Sequence, residues 1–453
     1  MRGVGLVLLG WLSIAWPAAA QAPFAPPAAT ERSVYRGAVL IDGTGAAPRP
    51  DMTVITRGDR IERVLPDSEV TPDLLADAEV IDLAGRFLLP GLIDSHQHLA
   101  TPPRRLQAEG LMRRALYGGV TGMRIMADDL RSVAELDRAA RTGEIEGPDL
   151  VHAAIMAGPS FFADPRTAAV SAGYRPGEAP WAQAVDEDTN LVRAVAMARG
   201  TGAAAIKIYA NLPAALVRRI AEEAHRQGLR VWVHAMVFPA LPSEVLDARP
   251  DVVSHTCYLA YEALDRRPSA YADRFPIDPE PFRSGDDPVM ARLFATMRER
   301  GIVLDPTLRV YREVESRSTP ERPPYCTLDL AARLTDQARR AGVTLSAGTD
   351  SYAPSDSPWP ALHDELELLV ARAGLTPMEA IVAATSVGAA TIGQGDALGT
   401  IAPGRQADLV VLERDPTADI AHIRSVTMTV KRGRRFARAD YRPITPEEAA
   451  DDE

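Results

Sequence analysis

The chain has 453 residues, 46% of them apolar, and a net charge of −11. That is enough for one large barrel domain with a smaller one beside it. The negative balance argues against a nucleic acid or an anionic membrane as partner.

In chain order, the first segment reads as an export signal. Arg2 gives a short positive region, Gly3 to Trp16 is apolar, and Pro17-Ala-Ala-Ala-Gln-Ala22 offers small-residue cleavage sites. The apolar stretch is short for a membrane anchor and ends at Pro17. No later segment is long and apolar enough to span a bilayer. The expectation is residues 1–22 as signal peptide and 23–33 as linker, with an exported mature protein, periplasmic or secreted, and no membrane span after cleavage. Cys257 and Cys326 are the two cysteines. Export permits a bridge without establishing one, and two cysteines cannot build a cysteine-based structural zinc site.

Short strands separated by Gly and Asp turns follow: Tyr35-Arg-Gly-Ala-Val-Leu-Ile41, Asp51-Met-Thr-Val-Ile55 and Arg60-Ile-Glu-Arg-Val-Leu65. The same style returns in Ala407-Asp-Leu-Val-Val-Leu412 and Ser425-Val-Thr-Met-Thr-Val430. Residues 34–86 plus 396–440 are therefore expected to form one small β-sandwich domain built from both chain ends, with 441–453 as an acidic tail. Between them, apolar strand-like runs occur near 88–94, 120–126, 149–156, 203–208, 229–234, 251–255, 301–306 and 343–349. Helical patterns lie at 104–117, 184–199, 212–227, 287–300, 327–341 and 360–373. This alternation predicts an α/β fold, a (β/α)8 TIM barrel over 87–395. The competing doubly wound sheet is weakened because no Gly-rich phosphate fingerprint follows an early strand. Two Pro-rich loops, 263–288 and 352–360, are placed to cover a barrel mouth.

Lys207 and Lys431 are the chain's two lysines among fifty Lys and Arg. Lys207 sits in the apolar run Ala203-Ala-Ala-Ile-Lys-Ile208. An Arg there could not lose its charge, whereas a desolvated Lys can. A neutral amine serves as a nucleophile, a Schiff-base former or, once carboxylated, a metal ligand. A lone core lysine ordinarily snorkels to the surface, but this one has company. Five strand-like runs end in residues that bind metal or move protons: His96 and His98, Lys207, His234, His255 and Asp350. Strand ends of a barrel meet on one face, and His96 and His98, two apart on an extended segment, project to the same side. Each alone has a plainer explanation: a hydrogen-bonded core histidine, or Asp350 as a helix N-cap. Together and in order they predict a metal site. His152 lies mid-strand without a metal-spacing partner, His225 reads as exposed on a helix, His422 belongs to the small β domain, and His363 could edge the site but reads first as structural. Arg309 and Tyr311, after the seventh run, could take a substrate carboxylate, or could be a solvated loop pair.

Pro90-Gly-Leu-Ile-Asp-Ser-His-Gln-His98, Ile206-Lys-Ile-Tyr209, His234, His255, Ser346-Ala-Gly-Thr-Asp-Ser351 and Gly399-Thr-Ile-Ala-Pro-Gly-Arg-Gln-Ala-Asp-Leu-Val-Val-Leu412 resemble the amidohydrolase superfamily over about residues 34–436. Within it the chain is similar to the exported Xaa-Pro dipeptidase and imidazolonepropionase-like branch. The resemblance implies two divalent cations, zinc by default. One would be held by His96, His98 and Asp350, the other by His234 and His255, with Lys207 as N6-carboxylysine between them. It implies a water acidified by the metals attacking a carbonyl, and Asp350 as the catalytic proton carrier. Tyr209, Tyr258 and Arg309 are the candidate substrate contacts. Many relatives of this branch carry Gly-Gly-His-Gly after the third strand where this chain has Gly158-Pro-Ser-Phe-Phe-Ala-Asp-Pro-Arg166, so substrate identity does not transfer with the resemblance.

The expected function is hydrolysis of an amide or peptide bond in a small substrate such as a dipeptide or N-acyl amino acid. The alternatives are an esterase, lactonase or phosphotriesterase on the same metals, or a non-enzymatic periplasmic binding protein. A deaminase fits less well, since the superfamily's mononuclear deaminases lack the strand-four lysine. A Schiff-base lyase on Lys207 is a further outsider. A homo-oligomer is compatible with this reading.

Overall fold

The computed structural model describes residues 22–449. The expected signal peptide, apart from Ala22, and residues 450–453 of the expected tail lie outside them.

Seven parallel strands lie side by side in chain order: Leu92–Gln97, Val120–Ile125, Asp149–Ala157, Ala205–Ile208, Arg230–His234, Val252–Ser254 and Val303–Asp305. They read as apolar runs because helices cover one face and the barrel interior the other, so nearly every residue is buried. The eighth run, near 343–349, contributes a single bridge, Leu304 to Leu345. It still closes the barrel: Ser346 N donates to Leu304 O (3.0 Å), Ser95 N to Ala347 O (2.8 Å) and Asp350 N to His96 O (2.9 Å). Gly348 explains the irregularity. A Cβ there would lie 2.4 Å from Asp305 Oδ1 and 2.7 Å from His96 Cβ, so only glycine lets the two chain segments meet.

Helices fall where periodicity placed them at Arg105–Tyr117, Ala214–Arg226, Pro288–Arg300, Leu328–Arg340 and Ala361–Ala373. The helix expected over 184–199 begins only at Leu191, where Asn190 caps it by accepting from Arg193 N. The preceding residues Ala182–Ala184 instead pair with Asp149–Ala157. The longest helices not foreseen are Leu130–Thr142, capped by Asp129, and Leu308–Ser316; shorter ones include Pro242–Asp247, Pro377–Ala383 and Ser386–Thr391. Among the described residues, no helix is long and apolar enough to cross a membrane.

A separate eight-stranded mixed sheet joins the chain ends into a β-sandwich domain. Leu409–Leu412 pairs antiparallel with Phe87–Pro90, which leads directly into the first barrel strand. Alternation gives the sheet two faces. Tyr35, Val54, Leu88, Leu409 and Val411 pack in one core, while Val34, Ile55 and Leu65 pack in another. The stretch expected as a linker is tied down: Phe24 N donates to Gly143 O (2.9 Å), its ring packs on Phe436, and the first strand starts at Arg32. The described part of the expected tail is also docked. Arg113 donates to both carboxylate oxygens of Glu448 (2.9 and 2.6 Å) and to the carbonyl of Arg442 (3.0 Å).

Candidate active site

The C-terminal strand ends open into a cavity of about 430 Å³ that is lined by all six residues expected to bind metal, His96, His98, Lys207, His234, His255 and Asp350. Tyr209 and Tyr258 line it as well. Three of the residues around it adopt left-handed backbone conformations, His255 (φ 74°), Thr307 (φ 55°) and Asp350 (φ 49°). That is costly for residues with a Cβ, and here it turns side chains from strand ends toward one point.

The imidazoles are held from behind. His96 Nδ1 lies 2.8 Å from Asp305 Oδ2, His98 Nδ1 3.0 Å from Asp128 Oδ1, and His255 Nδ1 3.0 Å from Thr307 Oγ1. Asp305 is itself fixed by Arg124 Nη2 (2.8 Å) and Ser254 Oγ (3.1 Å). Arg124, wholly buried, lies over the Trp232 ring at 5.0 Å and also donates to Ser95 O; a desolvated cation–π contact of this kind contributes about 2 kcal/mol. Such partners fix ring orientation, as they do for metal-bound histidines. On the cavity side, His98 Nε2 is 3.2 Å and His96 Nε2 3.5 Å from Asp350 Oδ1. Ligand atoms of His96, His255 and Asp350 converge within 4.8 Å of one another.

The electrostatics suit a cation. Burial pushes the Asp350 carboxyl up, but His96, His98 and His255 outweigh it and hold the group far below the usual range, hence ionised. Burial, reinforced by Lys207, keeps His234 and His255 well below the ordinary imidazole value, hence neutral and able to donate lone pairs. His98 is the exception. Burial opposes its charge, yet Asp128 and Asp350 raise it to about 9, so this corner attracts a proton or another cation. Lys207 is 1% exposed, and its Nζ has no hydrogen-bond partner among the described residues. Burial and then the Arg124 charge lower it to about 7. Buried His234 Nδ1 is also unpartnered. Orphaned nitrogen donors, neutral imidazoles and one ionised carboxylate form a donor set that fits divalent cations.

Residues 87–436 match the amidohydrolase family. The chain belongs to that family. Among curated relatives it is 27% identical over 429 residues to imidazolonepropionase of Cereibacter sphaeroides, covering 85% of this chain and 94% of the relative. A shorter stretch of 103 residues is 37% identical to ochratoxinase of Aspergillus niger, 22% of this chain and 20% of that one. Among solved structures, a Xaa-Pro dipeptidase with bound methionine superposes with TM-score 0.71 at 21% identity, covering 90% of this chain and all of that one. A prolidase from Bifidobacterium longum, described as putative, gives 0.66 at 24%, covering 93% and 98%. These structures share the fold. The amidohydrolase family member described here is a metal-dependent hydrolase of carbon–nitrogen bonds.

Arg309 is placed differently from the expectation. It is buried in the unforeseen helix Leu308–Ser316, and its guanidinium is taken by Asp364 (3.2 Å), Glu313 (3.1 Å) and Ser351. Glu365, raised to about 8 by burial, accepts from Leu308 N and Arg309 N and so caps that helix from a distance. Arg309 is a clamp between helices and does not line the cavity. Tyr311 is fully buried beneath it. The other histidines stay outside the site: His363 bonds Gly118 O, His225 pairs with Asp251, His422 bonds Asp415 O, and His152 is buried in its strand.

Several site residues escaped the reading of the sequence. Asp305 and Asp128 also follow strand ends, so the pattern that exposed the metal-binding candidates could have found them. Arg166 lines the cavity from the short helix Pro165–Ala169, and Tyr271, Arg274 and Tyr325 from segments that carry no periodic signal. Arg166 closes the stretch that departs from Gly-Gly-His-Gly, whose Phe161 and Phe162 line a small apolar recess beside His98 and Tyr209. Cys257 and Cys326 are joined in a disulfide, which ties Tyr258 and Tyr325 into one wall of the cavity with rings 5.5 Å apart.

Proposed function

We propose that this enzyme holds two divalent cations, zinc by default, and hydrolyses the amide bond of a small substrate such as a dipeptide or N-acyl amino acid. His96, His98 and Asp350 would hold one cation and His234 and His255 the other. Lys207, carboxylated on Nζ, would serve both. When bound, the cations supply Lewis acidity that polarises the scissile carbonyl and lowers the pKa of the attacking water.

The chain's own residues supply the rest. Asp305, Asp128 and Thr307 keep the rings aimed at the cavity. Lys207, uncharged once its proton is lost, attacks carbon dioxide through its lone pair; an N–C bond forms, one proton leaves, and an anionic carbamate replaces a cation. Asp350, ionised at the cavity floor, accepts the proton of the attacking water and passes it to the leaving nitrogen. Tyr209, 4.1 Å from the His234 ring, and Tyr258 wall the reacting bond from solvent.

The observation that carries this reading is the buried, unpartnered amine of Lys207 among four imidazoles and one carboxylate. The Cys257–Cys326 bridge supports an oxidising compartment, in line with export to the periplasm or beyond. The test is metal analysis of natively purified protein, paired with a library of dipeptides, N-acyl amino acids and aryl esters. Two equivalents of metal and turnover of amides are expected. Turnover of esters or phosphotriesters alone would remove the amide assignment.

A further inference from the structure

Three guanidinium groups line the cavity, and two of them already have a carboxylate. Arg166 Nη2 lies 2.7 Å from Asp164 Oδ2, and Arg317 Nη2 lies 2.6 Å from Glu313 Oε1. Arg274 has no carboxylate partner among the described residues. Its Nε donates to the carbonyl of Tyr271 (2.7 Å) and its Nη1 to the hydroxyl of Tyr258 (2.6 Å). The other guanidinium hydrogens, including both on Nη2, go to no described residue. Three tyrosine faces surround the group, with ring centroids at 3.5 Å for Tyr271, 4.9 Å for Tyr325 and 5.8 Å for Tyr258.

A half-buried cation without an anion is costly, and here it is held in place rather than released to solvent. Tyr271 N donates to Asn211 Oδ1 (2.8 Å) and Ile277 N to Tyr325 O (3.0 Å), which pins the loop on both sides of Arg274. Tyr258, its hydrogen-bond partner, stands 5.6 Å from the His255 ring and 5.7 Å from the His234 ring. Arg274 and these imidazoles therefore line one cavity and share Tyr258 as a neighbour. A planar fork with unused donors is the group that binds a carboxylate in two-pronged fashion.

We infer that Arg274 seats a free carboxylate carried by the substrate, so the substrates are small amides with an ionised carboxyl group close to the scissile bond. This rests on the reading of the cavity as an amide hydrolase. It also moves the carboxylate contact from Arg309, whose charge is already neutralised, to a residue of the Pro-rich loop.

The test compares, on metal-loaded full-length enzyme, dipeptides and N-acetyl amino acids with their C-terminal carboxamides, by kcat/KM and by calorimetric binding. Wild type is expected to favour the free acid about tenfold or more, as for a hydrogen bond between charged groups, mainly through KM. In Arg274→Gln the ratio within each pair should fall to about one. Arg274→Lys keeps the charge but not the fork and should fall between; it carries the test if the Gln variant does not fold, and an unchanged ratio there would overturn the proposal. Equal use of acid and carboxamide by wild type, a preference retained in Arg274→Gln, or no binding by any member of the panel would also overturn it. Turnover without acid preference fells the subsite and leaves the hydrolase reading. Arg274-dependent acid binding without amide turnover does the reverse.

Discussion

The two lysines of this chain are both buried, and they meet opposite fates. Lys431, at the seam between the β-sandwich domain and the barrel, lies 2.8 Å from Asp149 Oδ1 in an ion-pair contact, and its hydrogen bond goes to Ala140 O at 3.2 Å. The angle toward Asp149 is not that of a hydrogen bond, so Coulomb attraction is what binds the pair. Arg432 reinforces it, with Nη2 2.5 Å from Asp149 Oδ2. Lys207 has no such partner. The desolvation cost of an ammonium is similar in both places. At the seam a carboxylate offsets it, and the amine works as a cation. In the cavity Asp350 and Asp305 offset it only in part, burial and the Arg124 charge lower the group to about 7, and a neutral amine becomes available for chemistry. What separates the two is pairing: Lys431 touches its carboxylate, whereas Lys207 Nζ has no bonded partner among the described residues.

The largest effect should come from removing the unpaired amine. Lys207→Ala is expected to lose metal and to lower kcat/KM by roughly 100- to 1000-fold, the range for loss of a preorganised electrostatic group, with partial rescue by short carboxylic acids. Lys207→Arg should be as damaging, because a guanidinium stays charged and cannot form a carbamate. Metal content and kcat/KM measured together check both, and full activity in either variant would end the bridging role.

At the seam the expected losses are in stability. Lys431→Ala leaves Asp149 with Arg432 and the more distant Arg141 (3.9 Å) and should cost about 3 kcal/mol by denaturant unfolding, the low end for breaking a buried pair, with metal content unaffected. The pH dependence follows from Asp149. Burial raises its carboxyl, but Lys431 and Arg432 prevail and set it at about 2, against 3.8 for the free group. Because the folded value is the lower one, the stabilisation is present above pH 4 and fades as pH falls from about 4 through 2. It amounts to about 2 kcal/mol. Asp149→Asn should flatten that limb of the stability–pH curve, and an unchanged limb would assign the acid sensitivity elsewhere.

What could be read from the sequence follows the reach of the physics involved. Barrel strands announce themselves as apolar runs, and residues ending those runs are gathered by the topology, so His96, His98, Lys207, His234, His255 and Asp350 could be placed together without coordinates. The second rank of contacts could not. Asp305 serves His96 across 209 residues of sequence, and Arg309 meets Asp364 across 55; no local pattern encodes either pairing. The helix Leu308–Ser316 went unseen because its cap, Glu365, comes from another helix. By contrast, the helix Leu130–Thr142 had local signals in Asp129 before it and in Gly143 after it, with φ at 76°. Arg274 and Tyr271 sit in a Pro-rich loop without periodicity, so only the fold shows that they line one cavity with the candidate metal ligands.

The smallest effect is the most discriminating, because it applies one substitution to both lysines. At the seam, Arg keeps the charge and brings more donors, so Lys431→Arg can still satisfy Asp149 and Ala140 O. Its cost is the fit of a larger, planar head in a closed space, about 1 kcal/mol. The same change at Lys207 preserves charge equally well, so it should preserve function only if charge is what the cavity needs. A thermal or denaturant melt of Lys431→Arg beside kcat/KM for Lys207→Arg decides the matter. Mild cost at the seam with collapse of activity in the cavity would mean that Lys207 acts through the loss of its proton. Equal tolerance at both positions would mean that it is a cation after all.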